Sequence, residues 1–274
     1  MGIHVSRWGR LPGLVGVAFS VALAVAACGS ASSSASGGTP PPTATQTPTP
    51  TPTPTPTSVP TAPTVTSVTM GVSALDSSWI ATFKKPVVSG IPDSVATTMN
   101  AAIQAKVNGL ITAFTGMGLP TVLSGDGPST LDGEFTIALD SPTLLSLRFK
   151  ATEYASGAAS TFDQVSSINF VVSTGAVIAL ADLFTTGAAA LPVLTSKSHA
   201  LLLANPDYGG DLTWPPTPAL SFFATGWVFT TSGLELTWNQ GDIAPMAAVD
   251  PSVNIPWLDL NSVLNASGPA AEFM

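Results

Sequence analysis

The chain has 274 residues, with eight Lys and Arg against sixteen Asp and Glu, and a formal net charge of -8. A chain this acidic has no basic stripe with which to neutralise phosphates, so we expect no nucleic-acid partner. Its single cysteine excludes both a disulfide framework within the chain and a cysteine-ligated metal cluster.

The N-terminus has the organisation of an export signal. Arg7 and Arg10 precede a short apolar run from Leu14 to Ala27 that ends in small residues, which predicts a secretory signal peptide over residues 1–27. Cys28 follows two alanines and resembles the cysteine of a bacterial lipobox, which becomes the first mature residue and carries acyl chains such as palmitate. We therefore expect lipidation at Cys28 and an anchor on the extracytoplasmic face of the cell membrane. The alternative is a plain secretory signal followed by an incidental thiol.

Residues 28–66 differ sharply in composition from the rest of the chain. A Ser/Gly-rich stretch from Gly29 to Gly38 is followed by Thr-Pro alternation from Thr47 to Thr57. Such tracts bury too little apolar surface to offset the entropy of ordering them, and the Thr-Pro part favours polyproline II. We predict a disordered stalk over 28–66, a helix-bearing N-terminal subdomain over 67–130, and a larger domain over 131–274.

The first half of the folded part is predicted to contain a strand, a helix and two further strands. A strand is expected over Trp79–Phe83 and a loop over Pro86–Pro92. Apolar residues at spacings of three and four predict an amphipathic helix from Asp93 to about Gly116. After a Gly/Pro-rich loop, alternating apolar and polar residues predict strands over Glu134–Leu139 and Leu144–Glu153.

The second half carries two hairpin patterns and one helix. Ile168–Val172 and Ala176–Leu180 flank a tight turn, and Trp227–Phe229 and Leu234–Trp238 flank another. Leu191–Ala204 is predicted to be a helix, which Asn205-Pro206 ends. Hairpins and helices without a regular βαβ rhythm predict an α+β fold with antiparallel sheets and two main helices.

Seven short segments follow one another between residues 144 and 264. They are Tyr154-Ala-Ser-Gly157-Ala158, Asn169-Phe170, Ser173-Thr174-Gly175, Ala181-Asp182-Leu183-Phe184, Gly233-Leu234, Ile243-Ala244-Pro245 and Ile255-Pro256-Trp257. In this order they resemble the domain of unknown function DUF3298. That domain is also the extracellular C-terminal part of RsiV-type anti-sigma factors, and MPT64-type mycobacterial secreted antigens are similar. Trp79 to Phe114 resembles the helix-bearing half that often precedes this domain.

The resemblance implies an α+β fold, an exported or membrane-tethered protein and, in the RsiV branch, recognition of host lysozyme. The chain departs from the family at Ala159, where histidine often follows the Gly-Ala pair. The RsiV type also has a sigma-binding segment and a transmembrane helix, in place of which this sequence shows a signal peptide and a lipobox-like cysteine. We therefore expect at most the extracellular recognition to be shared, without anti-sigma signalling across the membrane.

Few residues suit catalysis. His199 is the one histidine after the predicted signal, it lies in the Leu-rich helix, and no Gly-x-Ser-x-Gly elbow is present. One histidine cannot form a two-histidine zinc site. Asp132 with Glu134, or Asp207 with Asp211, could act as paired carboxylates, although solvated surface acids account for both pairs. The Asp207 loop lacks the ligand spacing of an EF-hand, so we expect no metal, no cofactor and no enzymatic activity.

Aromatic residues in the last third of the chain favour binding instead. Trp227, Phe229 and Trp238 fit core positions of a hairpin. The candidate binding residues are Tyr208, Trp214, Pro256 and Trp257, of which both tryptophans are expected to be exposed.

The sequence thus predicts a non-catalytic envelope lipoprotein, a binding or antigen-type module for a protein such as lysozyme or for a cell-wall glycan. The alternative is an envelope carbohydrate-active enzyme or accessory, of hydrolase or deacetylase type, that uses carboxylates such as Asp207. A purely structural envelope component is the third possibility.

Overall fold

The computed structural model describes residues 61–120, 122, 126–208, 212–244 and 250–274. The predicted signal peptide, Cys28, the stalk up to residue 60, and Asp211 lie outside these residues. The last residues that were assigned to the stalk are described, and Thr64, Val65 and Thr66 belong to a strand.

This strand, β1 (Thr64–Ser73), precedes every element that the sequence analysis identified. Its sequence, TVTSVTMGVS, is rich in Val and Thr, whose branching at Cβ favours extended backbone. The prediction that the stalk reaches residue 66 is therefore wrong at its end. The Thr and Ser content of β1 resembles that of the preceding tract, so composition alone did not separate the two.

Six strands form one mixed sheet in the order β1-β2-β3-β4-β5-β6. β2 (Trp79–Ser89) pairs antiparallel with β1 and parallel with β3 (Ser129–Asp140). β4 (Leu144–Tyr154), β5 (Phe162–Val171) and β6 (Ala176–Val177) continue the sheet as antiparallel neighbours. The predicted hairpin between β5 and β6 is confirmed, and Gly175 at its turn has the positive φ of 72° that glycine adopts without strain.

Helix α1 (Asp93–Gly116) spans the predicted residues and links the parallel strands β2 and β3. Parallel neighbours need such a crossover because a tight turn cannot join them. Met99, Ile103, Val107 and Phe114 are the buried residues of the helix. They pack with side chains of β2 to β5, including Phe83 and Phe149, to form the first hydrophobic cluster.

β2 extends past Phe83 to Ser89, through residues that were predicted to form a loop. Beyond Phe83 it pairs only with β1, and Asn100 of α1 takes the place of a second neighbour. The Asn100 side chain accepts from Val88 N at 2.8 Å and donates to Val88 O at 2.9 Å. Every second residue of a strand points its N–H group to the same edge, so Pro86 faces the same edge as Val88. No strand pairs with that edge beyond Phe83, and a proline, which has no N–H, is therefore tolerated there.

A second, three-stranded antiparallel sheet consists of β7 (Val228–Phe229), β8 (Gly233–Thr237) and β9 (Ser252–Pro256). β7 and β8 are the second predicted hairpin, which is confirmed. With the helix at Gly187–Ala204 they form the second hydrophobic cluster, which includes Leu194, Leu236 and Trp238.

Helix α2 (Gly187–Ala204) begins one turn earlier than predicted and ends at the predicted residue. Thr186 caps its start, since its side-chain hydroxyl accepts from Ala189 N at 3.1 Å. Pro192 lies inside the helix.

The remaining helices are short. They are α3 (Leu220–Phe223), α4 (Trp257–Leu260) and the 3-10 helices Leu180–Leu183, Pro206–Tyr208 and Ala271–Phe273. None of the helices in the described part of the chain combines the length and hydrophobicity that a bilayer crossing requires. The predicted α+β class is confirmed, and the predicted domain boundary at 130/131 falls inside β3.

β4 lies between the two hydrophobic clusters. Leu145, Leu147 and Phe149 belong to the first cluster and Leu144 to the second. Between them, the buried hydroxyl of Ser146 donates to Asn169 Oδ1 on β5 and accepts from Phe229 N at 2.9 Å. Asn169 Nδ2 in turn donates to Trp227 O at 3.1 Å. These hydrogen bonds join the second sheet to the polar face of the first.

We predict that Gly133→Ala lowers the free energy of unfolding by about 3 kcal/mol, measured by urea denaturation. A Cβ at Gly133 would lie 2.0 Å from the buried ring of Phe83, which has no room to move. Gly71→Ala on exposed β1 is the matched control, because a Cβ added there would meet nothing within 4 Å. Equal stability of the two variants would contradict the packing described.

Candidate functional site

Trp257, one of the predicted binding residues, is part of the core. It is 5% exposed, and its Nε1 donates to Thr230 O at 3.0 Å. Its ring stacks on Phe273 with centroids 4.5 Å apart and an interplanar angle of 6°. The expectation of an exposed Trp257 is wrong because the C-terminal residues return to cover it. Neighbouring Pro256 is exposed.

Trp214 and Tyr208 also pack inward. The half-buried ring of Trp214 lies 5.1 Å from that of Phe222 and 5.2 Å from that of His199. Tyr208 is 5% exposed, and its hydroxyl accepts from Ser252 N at 3.0 Å. Trp214 is therefore not the exposed anchor that was expected, because Phe222 and Phe223 of α3 and Trp238, which directly follows β8, pack around it.

The predicted carboxylate pairs lie on the surface. Asp207 is exposed in a 3-10 turn, where its backbone N–H donates to Asn205 Oδ1. Asp132 and Glu134 are both exposed on β3, two residues apart, and thus on one face of the strand. Among the residues that the structure describes, no three or more His, Cys, Asp and Glu come together in a way that could hold a metal ion.

The structure instead brings polar side chains together in a cleft between the two sheets, which we call the inter-sheet cleft. It has a volume of about 250 Å³. Its lining residues are Glu134, Phe135, Thr136, Arg148, Lys150, Val165, Thr237, Asp250 and Ser252. β3, β4 and β5 supply one wall, and β8 with the residues at the start of β9 supplies the other.

Strand register sets the order of side chains in the cleft. Lys150 of β4 lies between Glu134 of β3 and Val165 of β5 as a cross-strand row. Arg148 forms the next row, with Thr136 as its partner on β3. Arginine and lysine therefore point from the face of β4 that lies opposite the first hydrophobic cluster.

Both cations form ion pairs across or along the cleft. Arg148 Nη2 lies 2.9 Å from Glu235 Oε1 on β8. Lys150 Nζ lies 2.7 Å from Asp163 Oδ2 and 3.2 Å from Asp250 Oδ2. Burial alone would lower the pKa of Lys150, but hydrogen bonds and charge from the two aspartates outweigh it, and the pKa is raised.

Several buried polar atoms in the cleft have no hydrogen-bond partner. They are Arg148 Nε, Thr237 Oγ1 and Asp250 Oδ1, and Arg148 Nη2 has its ion pair but no well-directed hydrogen bond. Four of the eight such atoms in the described part of the chain thus line one cleft. Thr237 is only 5% exposed. Because an unsatisfied buried polar group costs about 1 to 3 kcal/mol, this concentration calls for a partner.

These atoms offer complementary chemistry. Arg148 Nε is a donor, Asp250 Oδ1 is an acceptor, and the Thr237 hydroxyl can act as either. A bound molecule that both donates and accepts hydrogen bonds would satisfy all of them. The sequence analysis singled out none of the three residues, although the sequence carried a signal: Arg148 and Lys150 of β4 alternate with the apolar Leu147, Phe149 and Ala151.

One further acid is buried outside the cleft. Glu153, near the end of β4, is 5% exposed, and burial raises the pKa of its carboxyl to about 7, although a hydrogen bond with Gln164 lowers it. Its backbone pairs with Leu131 of the first hydrophobic cluster and with Phe162. Glu153 therefore opposes folding in its charged form.

No family model matches the sequence, and no curated protein matches it. Among solved structures, the chain is similar to a DUF3298 family member from Bacteroides fragilis, with a TM-score of 0.53 and 15% identity over 77% of this chain and 96% of that one. It is also similar to a DUF3298 family protein from Pseudomonas aeruginosa PAO1, with a TM-score of 0.53 and 12% identity over 75% and 96% of the two chains. The DUF3298-like fold expected from the seven segments is confirmed.

We predict that Trp257→Ala costs about 3 to 5 kcal/mol of stability, because it empties a buried site and leaves Thr230 O without its donor. Thermal unfolding followed by circular dichroism measures this. Pro256→Ala, at the exposed neighbour, should shift the midpoint little. A Trp257→Ala variant as stable as the parent would place this side chain at the surface.

We predict that Glu153→Gln stabilises the protein above neutral pH. The carboxyl has a folded pKa near 7 and an ordinary value of 4.5, so its unfavourable effect develops as pH rises from 4.5 to 7 and is constant above. Urea unfolding at pH 8 should show a gain on the order of 3 kcal/mol, and at pH 4 almost none. A gain that does not depend on pH would refute the assignment.

Proposed function

We propose that this DUF3298-like domain is a non-catalytic recognition module of the cell envelope, and that its inter-sheet cleft binds a hydroxyl-rich ligand of the glycan class. The observation that carries the proposal is the set of unpartnered buried atoms on Arg148, Thr237 and Asp250. Such atoms are satisfied by ordered water or by a ligand. The cleft is open enough to admit water or a ligand, so a ligand can replace the water.

A glycan suits the cleft because every sugar hydroxyl is both a donor and an acceptor. One hydroxyl can donate to Asp250 Oδ1 while another accepts from Arg148 Nε. The volume of about 250 Å³ is below the 300 to 1,000 Å³ that is usual for sites enclosing drug-sized ligands. The cleft would therefore hold one ring-sized unit of a longer chain.

Binding without turnover is the simpler role for these carboxylates. Asp163, Glu235 and Asp250 each lie within 3.2 Å of a cation of β4, so they act as partners that orient Arg148 and Lys150. The envelope location rests on the export signal and the lipobox-like Cys28. A protein partner such as lysozyme has less support, because Trp257 and Tyr208 are buried and offer no exposed aromatic anchor.

The test is isothermal titration calorimetry of the full chain in detergent with soluble peptidoglycan fragments, neutral oligosaccharides and lysozyme. Binding to oligosaccharides without release of shorter products would support the proposal. Hydrolysis or deacetylation would establish the enzyme alternative. Binding to lysozyme alone would replace the glycan with a protein partner.

We predict opposite effects of two Thr→Val substitutions. Thr237→Val removes an unpartnered buried hydroxyl, so it should raise the free energy of unfolding by about 1 kcal/mol and weaken oligosaccharide binding at least about fivefold. Thr152→Val is the matched control, since its hydroxyl donates to Asp163 Oδ1 at 2.7 Å and does not line the cleft. It should lower stability with a smaller effect on binding. Undiminished binding by Thr237→Val would count against the cleft as the site.

A further inference from the structure

The charges around the inter-sheet cleft do not balance. Arg148 and Lys150 are its cations, whereas Glu134 and Asp250 line it and Asp163 and Glu235 hold the two cations. Two positive groups thus face four carboxylates. An anionic ligand would meet an excess of negative charge on entry.

The excess charge can be assigned to two groups. Arg148 is paired with Glu235, and Lys150 is shared between Asp163 and Asp250. Asp250 retains a buried oxygen, Oδ1, that has no hydrogen-bond partner. Glu134, exposed on β3, forms no ion pair with any residue in the described ranges, although its cross-strand neighbour is Lys150. One free acceptor therefore lies within the cleft and one free carboxylate at its margin.

A donor that carries positive charge satisfies both groups best. An ammonium offers three N–H donors and no acceptor, and it offsets the excess negative charge. Arg148 Nε needs the opposite, an oxygen that accepts a hydrogen bond, because it is itself a donor on a cation. A ring that bears an amine together with hydroxyl or ring oxygens supplies both features.

Resting on the proposed glycan-binding function, we infer that the unit held in the inter-sheet cleft is an amino sugar with a free amine, whose ammonium lies against Asp250 and Glu134. Its oxygens accept from Arg148. The acidity of the whole chain supports this ligand, because a net charge of -8 raises the local concentration of cations and speeds their association. The same field disfavours sugars that carry carboxylate, sulfate or phosphate.

The experiment compares two hexamers with one backbone, glucosamine hexamer and N-acetylglucosamine hexamer, by calorimetry with the full chain. The free amines should bind at least about tenfold more tightly at low salt. The preference should shrink, without vanishing, at higher ionic strength, because a partly buried pair is screened less than an exposed one. Equal affinity for both hexamers would overturn the amine inference and leave the glycan proposal intact. Binding of neither would remove both.

Two matched variants locate the effect. Glu134→Gln removes the free carboxylate and should weaken binding of the glucosamine hexamer severalfold more than binding of the N-acetylglucosamine hexamer. Asp132→Asn removes the same charge two residues away on the same face of β3, at a position that does not line the cleft, and should change both affinities less than about twofold. Equal effects of the two variants would mean general cation attraction and would overturn the inference. Hexalysine binding with the same dependence on Glu134 would replace the amino sugar with a cationic peptide.

Discussion

The architecture depends on β4, a strand with a different core on each face. Leu145, Leu147 and Phe149 pack beneath α1, while Ser146, Arg148 and Lys150 face the second sheet. A strand buried on both faces is normally apolar throughout. Here the second face carries hydroxyl and charged groups, and each needs a partner from outside the strand because an unpaired buried polar group is costly. The second sheet supplies Phe229 and Glu235, the residue Asp250 precedes its last strand, and β5 supplies Asn169 and Asp163.

The two ends of this polar face differ in how completely they are satisfied. At one end, Ser146 and Asn169 bind the backbone of Phe229 and Trp227, which fixes the second sheet on the first. Further along, Arg148 reaches Glu235 with one nitrogen, while its Nε has no partner. The hydrogen bonds at the first end thus help to hold together the two walls of the inter-sheet cleft. Assembly of the domain and formation of the proposed binding site follow from the same strand.

The sequence predicted the elements that depend on local signals. α1 was recognised from apolar spacing, and the β5-β6 turn from Gly175, because both signals lie within a few residues. The extension of β2 through Pro86 was missed because the strand is completed by Asn100, whose role depends on the docking of α1. Burial of Trp257 was missed for the same kind of reason, since Phe273 covers it and nothing near residue 257 indicates this contact.

By itself the sequence determined the α+β class, the DUF3298-like resemblance, most helix and strand positions, and the net negative charge. These properties follow from composition, periodicity and turn residues, which are local or additive along the chain. Only the tertiary structure decided which polar residues form a site. Arg148, Thr237 and Asp250 are separated by long stretches of sequence, and the absence of a hydrogen-bond partner is a property of the folded surroundings, not of the residue. Tertiary packing likewise buries the aromatic residues that were predicted to be binding anchors. A tryptophan is buried or exposed according to which other parts of the chain pack against it.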